Sequence, residues 1–258
     1  MKLPKITDRQ QQILWYLYQF RFLNTYHIQK ILDHKNPKRT QSWVKDLKDK
    51  KYINTNYSPK SLLDKNKPAV YYLSSQARHI LKENTNCDLS MLSRIYKEKT
   101  RSQKYIDHCL AIADVYVYFL SQITDNQEIN FFTESNLIRF EYFPDPLPSA
   151  YISIKTENGN NRYFLDLFDK NIPSFVLRKR VKQYIEYFEN GTWQENSNNS
   201  PFPAILFVCP DTRLKKHIYF YGKAVLEKTF NTELSIYLTI KSNLSRDRID
   251  DEIWKKIE

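Results

Sequence analysis

TDRQQQILWYLYQFRFLNTYHIQKILDHKNPKRTQSWVKDL, residues 7–47, contains three helix signals in close succession. Thr7 followed by Gln10 is the pattern of a capping box, and apolar residues recur behind it at helical spacing. Asn24 is placed to cap a second, shorter helix, and Asn36 stands before a proline at the start of a third. The stretch therefore predicts three consecutive helices.

The third helix has two chemically different faces. Its predicted inner face is apolar and consists of Trp43, Val44 and Leu47. The residues predicted to point away from that face are polar or basic: Lys38, Arg39, Gln41, Ser42 and Lys45. A recognition helix needs such side chains to reach base edges and phosphates in a major groove. Solvation of an exposed face is the alternative reason for the same charges.

Two strand-like runs follow, at residues 52–56 and 69–73. The polar segment between them carries three lysines, Lys60, Lys65 and Lys67. Ser74 then caps a fourth helix that extends to Lys82. This order of elements, with three helices followed by a hairpin and a fourth helix, is that of a winged helix-turn-helix. We expect such a domain over residues 1–83. The lysines between the strands are expected to contact DNA from the wing.

Charge is divided unevenly along the chain. Residues 1–104 carry 22 Lys and Arg against 8 Asp and Glu, whereas residues 105–258 carry 18 against 21. A basic domain attracts polyanions, because each cation placed against a phosphate releases a condensed counterion. Double-stranded DNA is therefore the expected partner, although a basic surface also serves solubility alone. Residues 84–104 are polar and then basic, and are expected to form a basic linker.

Composition excludes several classes of protein. No apolar run approaches the roughly 20 residues of a membrane span, which predicts a cytoplasmic, DNA-associated protein without a membrane partner. Only 3 glycines occur, too few for a phosphate-cradling loop or a dinucleotide fingerprint. The 3 cysteines are far apart, so neither a disulfide framework nor a structural zinc site is indicated.

The second half of the chain has its own order of elements. An apolar helix is expected at residues 105–120, and a basic amphipathic helix and a buried strand follow later, at residues 175–189 and 202–208. Three strands are predicted between the two helices: residues 129–133, 151–155 and 162–168. This αβββαβ order is that of restriction-endonuclease-like, or PD-(D/E)-X-K, domains. The predicted class is α+β, with a winged helix-turn-helix followed by such a domain with a mixed central sheet over residues 105–258.

In that fold two acids on adjoining strands hold a divalent ion and a lysine assists the attacking water. Asp145 and Asp166 are the candidate ligands for Mg²⁺ or Mn²⁺ and the candidate catalytic acids. The lysine position, two residues after Asp166, is occupied by Phe168, which argues against a working nuclease and predicts a degenerate domain. Lys179 or Lys182 on the next helix could supply a displaced catalytic lysine.

The same helix allows a second interpretation. Its basic residues, with Arg178 and Arg180 foremost, could form another phosphate-binding stripe. No cofactor is required under this interpretation.

The chain resembles the bacterial replication-relaxation family, which is associated with plasmid replication and DNA relaxation. The similarity is carried by the opening helices, by the YYLSSQAR segment and by several later segments: HCLAIADVYVYF, FPDPLPSAYISI, RYFLDLFDKNIP, RKRVKQYIEYF and FPAILFVCP. Family members have a Pro-Asp, an acid-x-acid pair, and a basic residue and tyrosine on the next helix. Asp145, Asp166, Arg180 and Tyr184 match those places, whereas Phe168 stands where a second acid is usual.

The resemblance implies a DNA-binding protein of a plasmid or other mobile element that acts in replication, relaxation or transfer initiation. Replication or transfer proteins and a homodimer are the further partners to expect. Two alternatives stay open: a metal-dependent DNA endonuclease or nickase, and a transcriptional repressor whose C-terminal half serves for interaction. The 5 histidines are dispersed, which does not support a relaxase that uses a histidine cluster and a phosphotransferring tyrosine.

Overall fold

The computed structural model describes residues 3–56, 68–229, 234–244 and 253–258. The chain divides into two compact units, Met1–Val117 and Tyr118–Glu258. The predicted wing lysines Lys60, Lys65 and Lys67 lie outside the described residues. In the described part of the chain, no helix has both the length and the apolar character needed to cross a bilayer.

The N-terminal unit begins with the three predicted helices. Its elements in chain order are α1 Asp8–Phe20, β1 Leu23–Asn24, α2 Thr25–Ile31, α3 Pro37–Asp49, β2 Ile53–Asn56, β3 Val70–Leu73, α4 Arg78–Leu81 and α5 Leu89–Ser93, and α6 Gln103–Gln122 continues across the division. The side chains of Thr7 and Gln10 cap α1 reciprocally, as the sequence predicts. The side-chain oxygen of Asn36 accepts from the backbone N–H of Lys38 at 3.0 Å and so caps α3.

The three short strands form an antiparallel sheet in the order β1-β3-β2. The two predicted hairpin strands pair from Ile53 opposite Leu73 to Asn56 opposite Val70. Helix α3 buries Val44 and Leu47. The amphipathic pattern of that helix is therefore confirmed.

The segment predicted to be a basic linker, residues 84–104, belongs to the N-terminal unit. It contains α5 and a 3-10 helix, and it buries Leu92, Ile95 and Glu98. The guanidinium of Arg21 forms an ion pair with the carboxylate of Glu98. Among the lysines and arginines of this segment, two apolar residues at helical spacing, Leu92 and Ile95, pack into the core.

The C-terminal unit is built on a six-stranded sheet in the order β4-β5-β6-β7-β8-β9. Its elements are β4 Glu128–Thr133, α7 Glu134–Leu137, β5 Ala150–Thr156, β6 Gly159–Leu167, α8 Ser174–Glu189, α9 Thr192–Asn196, β7 Ala204–Cys209, α10 Thr212–Thr229, β8 Ile236–Ile240 and β9 Lys255–Lys256. Strands β6, β7 and β8 are parallel, and the other pairs are antiparallel. The α+β class and the mixed sheet are confirmed.

Helices α8 and α10 cover one face of this sheet. Their apolar residues form a core with every second residue of β7, Ile205, Phe207 and Cys209. Tyr184 of α8 is fully buried in the same core and stacks on Phe164 of β6. Because β7 is central and buried, it appears in the sequence as a continuous apolar run.

Candidate functional site

Helix α3 presents an exposed basic face in the N-terminal unit. The five residues predicted to contact DNA are all exposed: Lys38, Arg39, Gln41, Ser42 and Lys45. Within the described residues, no carboxylate forms an ion pair with Lys38, Arg39 or Lys45. The Arg39 guanidinium lies 5.7 Å from the Trp43 ring centroid. These three cations are therefore not paired with any carboxylate in the part of the chain that the structure describes.

A groove of about 610 Å³ lies between α3 and the strands β2 and β3. Helix α3 contributes Gln41, Lys45 and Lys48 to its wall, and the strands contribute Thr55 and Tyr71 among others. Lys48 was not among the residues chosen from the sequence. Lys48 could have been predicted from its position three residues after Lys45, because residues at that spacing share a helix face.

Helix α3 is fixed to α1 through polar contacts. The side-chain amide of Gln10, which is buried, donates to Asp46 Oδ2 at 2.6 Å. The Lys50 ammonium donates to the same oxygen at 2.6 Å. These hydrogen bonds, first from Lys50 and then from Gln10, lower the pKa of Asp46. The carboxylate therefore stays charged and holds α3 in place.

Helix α2, which precedes α3, is anchored by a buried histidine. His27 is 1% exposed, and its Nε2 lies 2.9 Å from Asp114 Oδ1 on α6. The other ring nitrogen, Nδ1, accepts from the backbone N–H of Asn24. Since Nδ1 accepts, Nε2 carries the proton and donates to Asp114.

The second candidate site is a buried ion pair in the C-terminal unit. Asp166, near the end of β6, is 7% exposed, and its Oδ2 accepts from Arg180 Nε at 2.5 Å. Its Oδ1 accepts from the backbone N–H of Ser149 at 3.2 Å and from Arg180 Nη2 at 3.4 Å. Both carboxylate oxygens of Asp166 are thus engaged by the protein.

Arg180 connects three parts of the unit. Besides Asp166, it donates through Nη1 to the carbonyl of Pro146 at 2.7 Å and through Nη2 to the Tyr184 hydroxyl at 3.0 Å. Burial lowers the pKa of the Arg180 guanidinium, but its electrostatic interactions and hydrogen bonds with Asp166 and Tyr184 together outweigh burial, and the pKa lies above its usual value. Burial and the same carboxylate hold the pKa of Tyr184 well above its usual value. Arg180 stays charged and Tyr184 stays neutral.

Of the basic residues on α8 that were interpreted as a phosphate-binding stripe, Arg180 differs from the others in its burial. Arg178, Lys179 and Lys182 are exposed on α8, but Arg180 is buried on the side of the helix that packs on the sheet. Arg180 and Tyr184 are four residues apart and share that side. The sequence pattern is misleading here, because an arginine among lysines resembles a surface residue until its buried acid partner is known.

The two predicted metal ligands, Asp145 and Asp166, lie in different surroundings. Asp145 is exposed, whereas the Asp166 carboxylate is already bound by Arg180 and Ser149. No group of three or more His, Cys, Asp or Glu suited to a metal ion occurs within the described ranges. Phe168, at the expected lysine position, is buried and packs on Phe207 with 5.2 Å between ring centroids. The described residues therefore do not fit Mg²⁺ or Mn²⁺.

The chain is similar to a known sequence family and to a solved structure. The family model described as replication-relaxation matches residues 14–202. The chain matches no curated protein sequence. The structure of the restriction endonuclease FokI matches with 13% identity and a TM-score of 0.34, over 92% of this chain and 43% of the FokI chain, so the chain spans less than half of FokI. Because the family model covers most of its length, this chain belongs to the replication-relaxation family.

Proposed function

We propose that this protein binds double-stranded DNA through a winged helix in its N-terminal unit and acts in replication, relaxation or transfer initiation of a plasmid or other mobile element. The observation that carries the proposal is the uncompensated basic face of α3 beside the groove formed with β2 and β3. Membership of the replication-relaxation family supports the biological role.

The residues of α3 suit different parts of a duplex. Gln41 and Ser42 have side chains that can hydrogen-bond to base edges in the major groove. Lys38, Arg39 and Lys45 are suited to phosphates, which position a protein on DNA without reading its sequence. Both kinds of contact come from one helix face, so α3 can serve as the recognition helix.

The strands beside α3 are proposed to form the base of the wing. Tyr71 and Thr55 lie directly opposite each other on the paired strands and both line the groove. Lys60, Lys65 and Lys67 stay as predicted phosphate contacts from the segment that joins these strands. A second cationic contact beside the first would lengthen the DNA footprint and steepen the salt dependence of binding.

We propose a supporting role for the C-terminal unit. The engagement of Asp166 by Arg180 favours a structural function for this acid over metal-dependent cleavage. The exposed cations of α8, Arg178, Lys179 and Lys182, are proposed as a secondary phosphate contact. Replication or transfer proteins, or a second copy of the chain, are the proposed partners of this unit.

The test is binding of the full chain to fluorescently labelled duplex DNA from the origin region of its own replicon, measured by anisotropy over a range of salt concentrations. Replacing Arg39 and Lys45 by Ala should weaken binding and flatten its salt dependence, by about 0.9 in slope for each phosphate that the protein no longer neutralises. The matched control is the double variant Lys223→Ala and Lys228→Ala on α10, which also removes two positive charges, but from the other unit. Unchanged affinity and slope in the double variant would refute the proposal.

A further inference from the structure

A concavity of about 560 Å³ lies in the C-terminal unit, at the N-terminal ends of the parallel strands β6, β7 and β8. Five aromatic rings line it: Phe119, Tyr163, Phe202, Tyr237 and Trp254. Its size falls in the range of pockets that bind small organic ligands, roughly 300 to 1,000 Å³. It is separate from Asp166 and Arg180, which do not line it.

The strand register explains why the aromatic residues converge. Leu206 of β7 lies beside Tyr237 of β8, and Tyr237 lies directly opposite Lys256 of β9. Residues paired in this way share a face of the sheet. Trp254 precedes Lys256 by two residues and also lines the concavity, together with Phe119 of α6, whose ring centroid is 6.5 Å from that of Trp254. Four of the rings lie outside the core beneath α8 and α10, whereas Phe202 also packs on Tyr187 and Phe188 of α8.

Polar and cationic groups complete the wall and the rim. Asn160, Asn161 and Arg162, at the start of β6, line the concavity. Lys256 is exposed beside Tyr237 and has no carboxylate partner among the described residues. A ligand that complements all of these groups has a flat aromatic surface, hydrogen-bonding edges and a negative charge.

We propose that this concavity holds an unpaired nucleotide of single-stranded DNA. A nucleobase stacks on aromatic side chains whatever its sequence, and nearby cations track the phosphates. The Asn160 and Asn161 amides are suited to the edge of the base and Lys256 to a flanking phosphate, whereas the Arg162 side chain hydrogen-bonds to Tyr151. A base inside a duplex cannot enter, because its faces are covered by its neighbours. Binding of one strand here does not require the winged helix. Such binding would suit the proposed role in replication, relaxation or transfer initiation, in which DNA strands are separated.

The fluorescence of Trp254 provides a direct test. Titrating the full chain with a short oligothymidine should quench tryptophan emission, because a stacked base quenches an indole ring. The chain has 4 Trp, so Trp254→Phe, which keeps an aromatic ring, identifies the source of the signal. We expect Trp254→Phe to remove most of the quenching, and Trp254→Ala to weaken binding, measured by anisotropy of a labelled oligothymidine, by about tenfold or more.

Neighbouring lysines of β9 provide a matched pair of variants. Lys256→Ala should weaken oligothymidine binding about threefold or more, because one phosphate is then no longer neutralised. Lys255→Ala should leave it unchanged, because the Lys255 ammonium lies 4.2 Å from the centroid of the Tyr219 ring, outside the concavity. Both variants remove the same charge from an exposed strand, so the comparison separates a local contact from general attraction.

Four outcomes would overturn the proposal: quenching that persists in Trp254→Phe, equal weakening by the two lysine variants, competition by duplex DNA as effective as by oligothymidine, or binding of thymidine monophosphate but not of oligothymidine. The Arg39 and Lys45 double variant separates this result from the proposed duplex binding. It should lose duplex affinity while Trp254 is still quenched by oligothymidine.

Discussion

Asp166 and Arg180 are joined by a buried ion pair, with 2.5 Å between Oδ2 and Nε, although both residues are obvious candidates for direct contact with a metal ion or DNA. The pair also reaches the Pro146 carbonyl and the Ser149 backbone N–H. It therefore ties α8 and β6 to the segment that precedes β5. The pair thus links three parts of the C-terminal unit through direct hydrogen bonds.

Removing one partner of this pair should destabilise the protein strongly. Asp166→Ala leaves the Arg180 charge buried without a counterion, which typically costs about 3 to 5 kcal/mol. Urea denaturation followed by circular dichroism measures the destabilisation. Asp145→Ala is the matched control, because Asp145 is exposed, and it should change the free energy of unfolding little. Equal effects of the two variants would contradict the structural role of Asp166.

Divalent metal ions should not act through Asp166. Because Arg180 and Ser149 occupy its oxygens, Mg²⁺ or Mn²⁺ should neither raise the melting temperature of the wild-type protein nor support nicking of supercoiled plasmid. Asp166→Asn, which is close to isosteric, serves for comparison. Nicking by the wild type that disappears in Asp166→Asn and persists in Asp145→Asn would show that the acid has a catalytic role.

The sequence predicted most of the scaffold but not the environment of the acids. The capping box of Thr7 and Gln10 and the apolar run of β7 act locally, so their patterns could be recognised in the sequence. The partner of Asp166 is 14 residues away, and its identity depends on the packing of α8 on the sheet. The concavity beside Trp254 depends on strand register, which one sequence does not specify. The exposed face of α3 was predictable because helical periodicity defines it.

The contact between His27 and Asp114 should support the helices that are proposed to bind DNA. Asp114→Ala leaves the Nε2–H of a buried imidazole without an acceptor, at a cost of roughly 1 to 3 kcal/mol. The same change should weaken duplex binding, because α2 immediately precedes α3. The control is Asp107→Ala, an exposed position on the same helix. Thermal denaturation measures the loss of stability, and anisotropy measures the loss of duplex binding. If Asp107→Ala reduced both as much as Asp114→Ala does, the contact with His27 would not have this supporting role.

Stability should fall at alkaline pH. Burial raises the pKa of the Cys209 thiol from near 9 to about 12, and burial likewise raises that of Tyr18 from 10 to about 12. The unfolded chain therefore loses these protons at a lower pH than the folded chain, so the free energy of unfolding declines as pH rises above about 9. Urea denaturation at several pH values measures the decline. Labelling with a thiol reagent at pH 8 provides a second measurement, because buried Cys209 should react only after unfolding. Fast labelling of Cys209 in the native protein would be inconsistent with its burial.

Gln41 and Lys45 should affect DNA binding in different ways, although both are exposed on α3. Gln41→Ala should reduce discrimination at one base pair of the site by a factor of about 5 to 150, because a side chain that hydrogen-bonds a base edge contributes roughly 1 to 3 kcal/mol. Lys45→Ala should weaken binding to all sequences alike and reduce the salt slope by about 0.9, because a phosphate contact carries no sequence information. Affinities for a set of single-substitution duplexes, measured at several salt concentrations, separate the two effects. If Gln41→Ala lowered affinity uniformly and Lys45→Ala altered base preference, α3 would have to enter the groove in a different orientation.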